Sequence, residues 1–492
     1  MKTLIKGGMV LKEKNGNYEL EKNNIVIEKD KILEITKKLY DNKNINKIID
    51  AKNCLIIPGL INSHNHSYAN LLKGTTENLP LEIWMKYCLA SGVKQTPREV
   101  YINTMLGSIQ MLKTGTTAVL DQLALDEEGL KSTFKAYEDV GMRATVAPMI
   151  MDKHYFETLP NGQKIFPKKL QKNIRKQLLL TPNELIDICK KVIRDYNGKE
   201  GRLYVTVAPS GPHRCSEELL KKSIELAENE DVGIHTHLLE TKTQAVTAYE
   251  MYGKSMTEFL NEIGFLQPRT SLAHAIWLSD REIEILADSG ASVIHNPLSN
   301  LILGSGIAPI LKFLKANINI GIGTDGVNCG GNQILFEAMR FAATIHKVKS
   351  FNFDTWITAE QVLNMAYSGG AKIFLKENEI ARIEKGYKAD IVILDTNSVS
   401  LTPINNVVNL LVYSENGSSV RDVIINGNLV VENKKLTRVN EDKILAEARE
   451  NIKKLKPKII ELYNFYDIQG PYIDKIYEQA INKDIGFNRL IQ

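Results

Sequence analysis

The sequence predicts an α/β protein built around a (β/α)8 TIM barrel. Eight short apolar runs alternate with helix-length segments in the middle of the chain, as strands and helices do in such a barrel. Similar short runs, separated by turn residues, occur near both ends of the chain, and neither end has enough of them to form a core alone. We therefore expect a small β-sandwich assembled from both chain ends beside the barrel.

The eight runs set the predicted extent of the barrel. They occupy residues 55–61, 116–120, 144–147, 203–207, 232–234, 271–273, 292–294 and 318–322. A barrel domain of 58–378 exceeds the roughly 250 residues that this fold needs, so loop insertions hold the excess. The clearest insertion spans 152–182, where the basic residues are expected to lie on a solvated helical face.

The flanking segments complete the predicted domain organisation. Residues 1–57 and 379–440 are expected to form the composite β-sandwich domain. From 441 to 492 the sequence becomes rich in Lys and Glu and predicts a helical C-terminal extension. Its aromatic residues indicate that this extension packs on the body of the protein or on a second subunit, and we expect a homodimer or higher homo-oligomer.

Composition and charge narrow the range of partners. The 62 basic and 58 acidic residues are mixed along the chain and leave a formal charge of +4, which favours neither nucleic acid nor a membrane surface as a partner. No apolar stretch approaches the roughly 18 residues of a membrane span, and the N-terminus lacks the apolar core of a signal peptide. Five scattered cysteines form no disulfide framework. These features predict a cytoplasmic protein.

Histidines follow the ends of the predicted strands. His64 and His66 come directly after the first strand, and residues two apart on an extended backbone point the same way. His237, His274 and His295 follow the fifth, sixth and seventh strands. Barrel enzymes carry their reacting groups at the carboxyl ends of the strands, so this placement of five of the nine histidines predicts a functional site.

The ligand types in this set indicate a metal site. Three imidazoles and one carboxylate suit a first-row divalent cation, with zinc (Zn2+) foremost and ferrous iron (Fe2+) as the alternative. We assign four ligands, the last of which follows the eighth strand: His64, His66, His237 and Asp325. A metal held in this way lowers the pKa of a bound water toward roughly 7. His235 is expected to be a packed neighbour rather than a ligand.

Catalytic groups are expected beside these ligands. Glu240, three residues beyond His237, is placed to take a proton from the water and deliver it to a substrate nitrogen. His274 and Asp325 are expected to orient the water and polarise the substrate. Asp325 has an alternative role as the N-cap of the following helix, since Asp is favoured there, but the histidines at the other strand ends favour a role as a metal ligand.

The motifs resemble a known family. The opening motif of the amidohydrolase superfamily is similar to residues 58–66, PGLINSHNH. Its aminohydrolase branch includes the triazine hydrolases, guanine deaminases and methylthioadenosine/S-adenosylhomocysteine deaminases. That branch is similar to this chain at His237-x-x-Glu240, at His274, at 295–300 (HNPLSN) and at 323–326 (GTDG). Residues 384–390, EKGYKAD, match the late sandwich segment, so the resemblance runs from about residue 1 to 440. It implies the four ligands named above, with Glu240 and His274 catalytic.

The resemblance also bears on the number of metal ions. Binuclear members of the superfamily carry a bridging lysine or glutamate at the end of the fourth strand. Here that strand ends in residues 207–213, VAPSGPH, which contain neither. One divalent metal ion per subunit is therefore implied.

Candidate substrate contacts leave alternatives open. Trp84 matches a segment that covers the pocket in this branch, and an aromatic wall suits a flat heteroaromatic substrate; a core tryptophan is the other interpretation. His213 and Arg214 could meet an exocyclic oxygen, although Arg214 could instead be simply exposed. His295 and Asn300 are placed to reach a substrate, or to serve as hydrogen-bonded core residues.

Two departures from the methylthioadenosine/S-adenosylhomocysteine deaminases bear on the substrate. Those enzymes carry a histidine where this chain has Ser210, and an acidic residue, associated with ribose hydroxyls, shortly after the segment of Trp84. Residues 87–95 contain no Asp or Glu. We therefore expect a free base or similar small amino-substituted heterocycle, of the purine, pterin, pyrimidine or triazine type, rather than an adenosine-type nucleoside.

Three functional hypotheses follow. The leading one is metal-dependent hydrolytic deamination of such a heterocycle with release of ammonia. A second is cyclic amide opening, or loss of a leaving group other than ammonia, since the same site chemistry serves these reactions. The third, a non-catalytic structural homologue, is disfavoured because such relatives typically lose metal ligands that this chain keeps.

Overall fold

The structure is a computed structural model that describes residues 2–14, 17–38, 44–76, 78–92, 95–124 and 126–490, without the side chains of 89–92 and 465. Its strands form two hydrogen-bonded sheets, one of eight strands and one of nine. In chain order the strands are β1 (Lys2–Lys14), β2 (Asn17–Glu28), β3 (Lys31–Thr36), β4 (Lys47–Asp50), β5 (Cys54–Pro58), β6 (Leu60–Asn65), β7 (Thr116–Leu123), β8 (Arg143–Ile150), β9 (Leu203–Pro209), β10 (Gly233–Leu238), β11 (Thr270–His274), β12 (Ser292–His295), β13 (Ile320–Ile322), β14 (Ile391–Asp395), β15 (Val420–Ile425), β16 (Asn428–Glu432) and β17 (Lys435–Leu436).

The helices alternate with the barrel strands and continue into the C-terminal extension. In chain order they are α1 (Leu81–Gly92), α2 (Pro97–Lys113), α3 (Glu127–Val140), α4 (Gly162–Ile165), α5 (Lys168–Ile174), α6 (Pro182–Tyr196), α7 (Glu217–Asn229), α8 (Lys242–Tyr252), α9 (Met256–Glu262), α10 (Asp280–Ser289), α11 (Pro297–Ile302), α12 (Ile310–Lys315), α13 (Val327–Gly330), α14 (Leu335–Thr344), α15 (Ala359–Asn364), α16 (Gly370–Ile373), α17 (Val407–Tyr413), α18 (Glu441–Asp467) and α19 (Gly470–Ile481). Among the helices of the described residues, none combines the length and the apolar character that a membrane span requires.

Strands β6 to β13 pair in sequence order, all parallel, and form the predicted barrel. Every residue of β7 is buried, as expected for a parallel strand that is covered on both faces. The N–H groups of Thr324 and Asp325, just beyond β13, donate to the carbonyl of His64 at 3.2 and 3.0 Å. These bonds join the last strand to the first at the mouth. The prediction of a (β/α)8 barrel is confirmed.

The nine-stranded sheet combines strands from both ends of the chain. Its order is β17-β16-β15-β14-β5-β1-β2-β3, with β4 paired to β1, and the two chain ends meet where β14 runs antiparallel to β5. The prediction that both chain ends build a separate β structure is confirmed. The division into domains at 57, 379 and 441 stays a prediction.

The predicted first barrel strand, 55–61, is divided between the two sheets. β5 belongs to the nine-stranded sheet and β6 opens the barrel, with Gly59 between them. A Cβ at Gly59 would lie 2.0 Å from Thr117 Oγ1, so glycine lets the chain pass this close to β7. An apolar run alone does not show where one sheet ends and the next begins.

The insertion at 152–182 and the C-terminal extension pack against each other and against the barrel. Phe156 of the insertion shares a buried apolar cluster with Ile473 of α19. Helix α18 contacts α1 and α2, and the ring of Tyr463 lies 4.9 Å, between centroids, from that of Tyr87. The extension therefore packs on the body of the protein, which is one of the two arrangements expected.

Candidate metal and active site

The carboxyl ends of the barrel strands bring the predicted ligands to one mouth. His64 is in β6 and His66 follows it, His237 is in β10, and Asp325 lies three residues beyond β13. Asp325 Oδ1 is 3.4 Å from His66 Nε2 and 3.7 Å from His64 Nε2. The Nε2 atoms of His66 and His237 are 3.2 Å apart. Side chains from three distant segments therefore meet at one point.

These separations can be compared with those around a bound ion. Ligand atoms at 2.0–2.2 Å from a tetrahedral ion lie about 3.3–3.6 Å from one another. The buried Nε2 of His64 makes no hydrogen bond to the described residues, as an atom that serves as a ligand would. The donor set and its spacing fit a divalent metal ion.

Hydrogen bonds on the far side of two rings favour the form that binds metal. His66 Nδ1 donates to the Gln122 carbonyl at 2.6 Å, and His237 Nδ1 donates to the Ser210 carbonyl at 2.5 Å. With Nδ1 protonated, each ring presents the lone pair of Nε2. Burial, reinforced by the neighbouring histidines, also holds the pKa of His237 well below its usual value, which favours the neutral imidazole.

His235 orients the imidazole of His64, a role that the sequence did not reveal. Its Nε2 lies 2.9 Å from His64 Nδ1, and its Nδ1 lies 2.8 Å from Ser271 Oγ. When His235 donates from Nδ1 to Ser271, its Nε2 accepts from His64 and leaves the Nε2 of His64 for an ion. The sequence feature that could have indicated this role is the position of His235 two residues before His237, on the same face of β10.

Asp325 is held in its ionised form by its neighbours. Ser299 Oγ donates to Oδ2 at 2.6 Å, and the Gly326 N–H donates to Oδ1 at 2.7 Å. Burial opposes ionisation, but His66, His274 and these hydrogen bonds together hold the pKa of Asp325 below its usual value. Ser299 was not recognised from the sequence, because its contact with Asp325 joins α11 to the segment that follows β13.

Glu240 lies on the connection between β10 and α8. Its backbone N–H donates to Gln244 Oε1 at 2.9 Å, and its Oε2 lies 3.7 Å from His274 Nε2. The carboxyl group is buried, and this burial raises the pKa of Glu240 to about 7. A group with such a pKa can take up and release a proton near neutral pH.

His274 connects the two carboxyl groups of the site. Its Nε2 lies 3.7 Å from Glu240 Oε2 and 3.7 Å from Asp325 Oδ2, and its Nδ1 donates to Asn300 Oδ1 at 2.9 Å. The backbone here is strained, since His274 and the following Ala275 have φ of 71° and 48°. Residues other than glycine rarely adopt this conformation, and such strain concentrates at functional sites.

A cavity opens beside these groups. Its polar side is formed by His66, His237, Glu240, His274 and Asp325, and its apolar wall by Leu81, Trp84, Met85, Met149, Met151 and Leu303. The indole Nε1 of Trp84 donates to Thr76 Oγ1 at 3.0 Å, which fixes this ring in the wall. A flat, largely apolar ring suits a cavity of this character.

His213 and Arg214 also line the cavity, on the loop after β9. Arg214 Nη1 lies 3.5 Å from Ser210 Oγ, and within the described part of the chain no carboxylate forms an ion pair with it. His213 is buried, and burial holds its pKa well below the usual value. This edge of the cavity therefore offers hydrogen-bond donors to a substrate.

His295 and Asn300 occupy positions behind the cavity wall. His295 Nε2 lies 3.3 Å from His346 Nε2, and Asn300 bonds to His274. Both side chains are buried, and neither lines the cavity. These positions fit the alternative of hydrogen-bonded core residues, with Asn300 orienting His274.

Comparison with known proteins identifies the family. The sequence profile of the Amidohydrolase family matches residues 55–430, which span the barrel and the late strands of the nine-stranded sheet. The chain belongs to the Amidohydrolase family. The resemblance read from the motifs is thereby confirmed.

This amidohydrolase is similar to several deaminases along nearly its whole length. It is 34% identical over 458 residues to the 5'-deoxyadenosine deaminase of Methanosarcina barkeri, covering 93% of this chain and 99% of that protein. It is 34% identical over 439 residues to the 5-methylthioadenosine/S-adenosylhomocysteine deaminase of Caldanaerobacter subterraneus subsp. tengcongensis, covering 89% and 94%. The predicted class, a hydrolase of carbon–nitrogen bonds other than peptide bonds, is confirmed by these relatives.

Solved structures agree with this placement. The amidohydrolase superposes on atrazine chlorohydrolase from Arthrobacter aurescens TC1 complexed with zinc, with a TM-score of 0.83, 26% identity and coverage of 92% of this chain and 100% of the other. It shares its fold with an adenosine deaminase from Xanthomonas campestris with bound zinc, with a TM-score of 0.82, 24% identity and coverage of 92% and 98%. The zinc in the chlorohydrolase and the ligand spacing here support a divalent metal ion.

Proposed function

We propose that this amidohydrolase removes the exocyclic amino group of a 6-aminopurine nucleoside of the 5'-deoxyadenosine type, with one metal ion per subunit held by His64, His66, His237 and Asp325. The observation that carries the proposal is the meeting of these ligands with Glu240 and His274 beside an apolar cavity. The 34%-identical relative named a 5'-deoxyadenosine deaminase supports the choice of nucleoside. A nucleoside without a polar group at the 5' carbon also suits the methionine and leucine wall.

Hydrolytic deamination requires a group that carries a proton from the water to the substrate, and we assign this role to Glu240. A bound divalent metal ion lowers the pKa of a water molecule toward roughly 7. Glu240 takes one proton of the attacking water and delivers it to the ring nitrogen beside the reacting carbon. The water oxygen bonds to that carbon, the bond to the amino nitrogen breaks, and the second proton of the water leaves with ammonia. His274 and Asp325 orient the water, and Asn300 holds His274 in place.

The test is ammonia release by the purified protein from 5'-deoxyadenosine, 5'-methylthioadenosine, adenosine, adenine and guanine. We expect the two nucleosides that lack a 5'-hydroxyl to give a kcat/KM at least about tenfold above that of adenine, because the apolar wall contacts the 5' end. Faster turnover of a free base than of every nucleoside would refute the nucleoside assignment. Release of no ammonia from any of these compounds would refute the proposed reaction on 6-aminopurines.

A free base is the second candidate, and two observations favour it. Ser210 stands where the nucleoside deaminases are expected to carry histidine, and residues 87–95 supply no acidic side chain for ribose hydroxyls; 93 and 94 lie outside the described residues. The same panel separates the two candidates. A triazine with a chloride leaving group, added to the panel with a chloride assay, tests the alternative reaction that the chlorohydrolase neighbour suggests.

We further propose zinc as the ion and a cytoplasmic homo-oligomer as the working form. Histidine nitrogens with one carboxylate are a common zinc set, and five buried, unpaired cysteines suit a reducing compartment. Val348, Phe351 and Phe353 expose apolar side chains on one short segment, which suits an interface between subunits. Metal analysis and light scattering of the purified protein test these points; iron as the bound metal or a monomer would contradict them.

A further inference from the structure

The last described residues, 482–490, form a C-terminal arm that reaches back to the mouth of the barrel. The carbonyl of Arg489 accepts from the Ile307 N–H at 2.8 Å, and the ring of Phe487 lies 6.4 Å, between centroids, from that of Trp277. The indole Nε1 of Trp277 donates to the Ser305 carbonyl at 2.7 Å. The C-terminal arm therefore bridges the loops that follow β11 and β12.

Arg489 is the main polar contact of the C-terminal arm with the loop after β11. Its side chain is buried, and its Nε donates to the carbonyl of Ile276 at 3.1 Å while Nη2 donates to the carbonyl of Leu278. Within the described part of the chain, no carboxylate forms an ion pair with this guanidinium. A buried cation without an ion-pair partner is costly. The hydrogen bonds to these two carbonyls offset that cost, so the conformation of the loop after β11 is important for the C-terminal arm as well as for the loop itself.

The loop that Arg489 contacts carries His274 at its start. His274 and Ala275 both have left-handed backbone conformations. The N–H groups of Ala275 and Ile276 donate to the carbonyls of Leu238 and Leu239 at 2.9 and 3.1 Å. These two leucines lie between His237 and Glu240, so the loop also supports the segment that carries the proposed proton carrier.

We propose that Arg489 is a positioning residue for the active site: by holding the carbonyls of Ile276 and Leu278, it keeps the strained loop that sets His274 beside Glu240. The inference rests on the proposed function for its kinetic part, and on the structure alone for its effect on the loop. The family profile ends at residue 430, so this contribution comes from a segment beyond it.

The physical reason is the cost of a strained conformation. Left-handed conformations are unfavourable for residues other than glycine and persist only where surrounding contacts enforce them. Removal of two charged hydrogen bonds lets the loop relax toward less strained conformations. Since reacting groups displaced by about 1 Å can lower turnover on the order of a hundredfold, a contact outside the cavity can affect kcat without touching the substrate.

The test compares Arg489→Ala and Arg489→Lys with the control Arg202→Ala in the full chain. Arg202 is likewise buried and donates to the main-chain carbonyls of Tyr137 and Met142, but it lies just before β9, at the opposite end of the barrel. We expect Arg489→Ala to lower kcat about tenfold to hundredfold with KM within about twofold and metal content unchanged. Arg202→Ala should lower stability with kcat near that of the wild type.

Three further readouts separate positioning from general destabilisation. Arg489→Lys, which keeps the charge but not the forked donors, should give an intermediate kcat, and it remains informative if the alanine variant does not fold. Added guanidinium ion should partly restore kcat of Arg489→Ala and not that of Arg202→Ala. Amide hydrogen exchange of residues 275–277 should be faster in both Arg489 variants than in the wild type.

The results that would overturn this inference differ from those that would overturn the proposed function. Unchanged exchange at 275–277 in both Arg489 variants overturns the inference, whatever the substrate is. A kcat that falls equally in Arg489→Ala and Arg202→Ala also overturns it. A wild-type protein that turns over none of the panel overturns the proposed function alone, because the exchange measurement still decides the role of Arg489.

Discussion

Glu240 combines the two properties that a proton carrier of this site requires. It lies on the cavity beside His237 and His274, and burial raises its pKa to about 7. Its backbone N–H donates to Gln244 Oε1, which fixes the main chain at this position. The proposed mechanism therefore depends on this one carboxyl group for proton transfer.

Replacement of Glu240 by glutamine, the amide of the same shape, tests whether proton transfer depends on this carboxyl group. We expect Glu240→Gln to lower kcat by about 10²- to 10⁴-fold, because glutamine fills the same space but cannot take up and release a proton near neutral pH. Metal content and Tm should match the wild type. Glu230→Gln, an exposed substitution at the end of α7, is the control and should keep full activity. Ammonia release within tenfold of the wild type for Glu240→Gln would contradict the assigned role.

The pH dependence of turnover follows from the same residue. Glu240 must be ionised to accept a proton, so kcat/KM should fall as the pH drops below its pKa, by about tenfold per pH unit. Burial raises this pKa from 4.5 to about 7, and a bound cation lowers it again. The midpoint of the acid limb is therefore expected between these two values. A profile of kcat/KM against pH measures it, and a midpoint outside this interval would count against Glu240 as the base.

At the scale of elements, one buried ion pair joins the barrel to the nine-stranded sheet. Arg143, at the start of β8, donates from Nε to Asp390 Oδ2 at 2.6 Å and from Nη2 to Oδ1 at 3.0 Å. The N–H of Asn426, at the end of β15, donates to the same Oδ1 at 2.7 Å. Asp390 thus connects three strands that are distant along the chain.

Loss of this carboxylate should destabilise the protein strongly. Asp390→Ala leaves the Arg143 guanidinium buried without its counter-ion, so we expect the free energy of unfolding to fall by about 3–5 kcal/mol. Glu284→Ala removes the exposed partner of Arg281 and should change the free energy of unfolding by less than about 0.5 kcal/mol. Urea denaturation measures both variants. Equal losses would show that the buried pair has no special role.

At the scale of the whole molecule, the proposed metal site joins β6, β10 and the end of β13. The proposed ligands His66, His237 and Asp325 come from parts of the chain that are far apart in sequence, and the unfolded chain does not hold them in this arrangement. An ion that binds the folded state alone stabilises it by mass action. Metal binding and stability of the fold are therefore expected to be coupled.

Metal removal tests this coupling. A chelator should lower Tm, and added zinc should restore it, with about 2.7 kcal/mol of stabilisation when free metal is 100 times its Kd. His66→Ala should weaken the response to zinc, because one ligand is lost. Differential scanning calorimetry with metal analysis provides the measurement. An identical Tm with and without stoichiometric metal would contradict a site built from these three segments.

Much of the candidate site could be predicted because barrel topology places strand ends together. His64, His66, His237, His274 and Asp325 each follow an apolar run, and the barrel collects such positions at one mouth. The hydrogen-bond partners of these groups could not be predicted in the same way. Ser271, Ser299 and Asn300 are ordinary polar residues in sequence, and their roles depend on which side chain of another element lies within about 3 Å.

The sequence by itself determined the barrel, the use of both chain ends and the ligand types, because hydrophobic period and residue chemistry are local properties of the chain. Tertiary structure alone decided three things. It divided 55–61 between two sheets at Gly59, it left His295 and Asn300 out of the cavity lining, and it brought Arg489 to the loop of His274. Each depends on distances between residues far apart in the chain, which packing of the whole molecule sets.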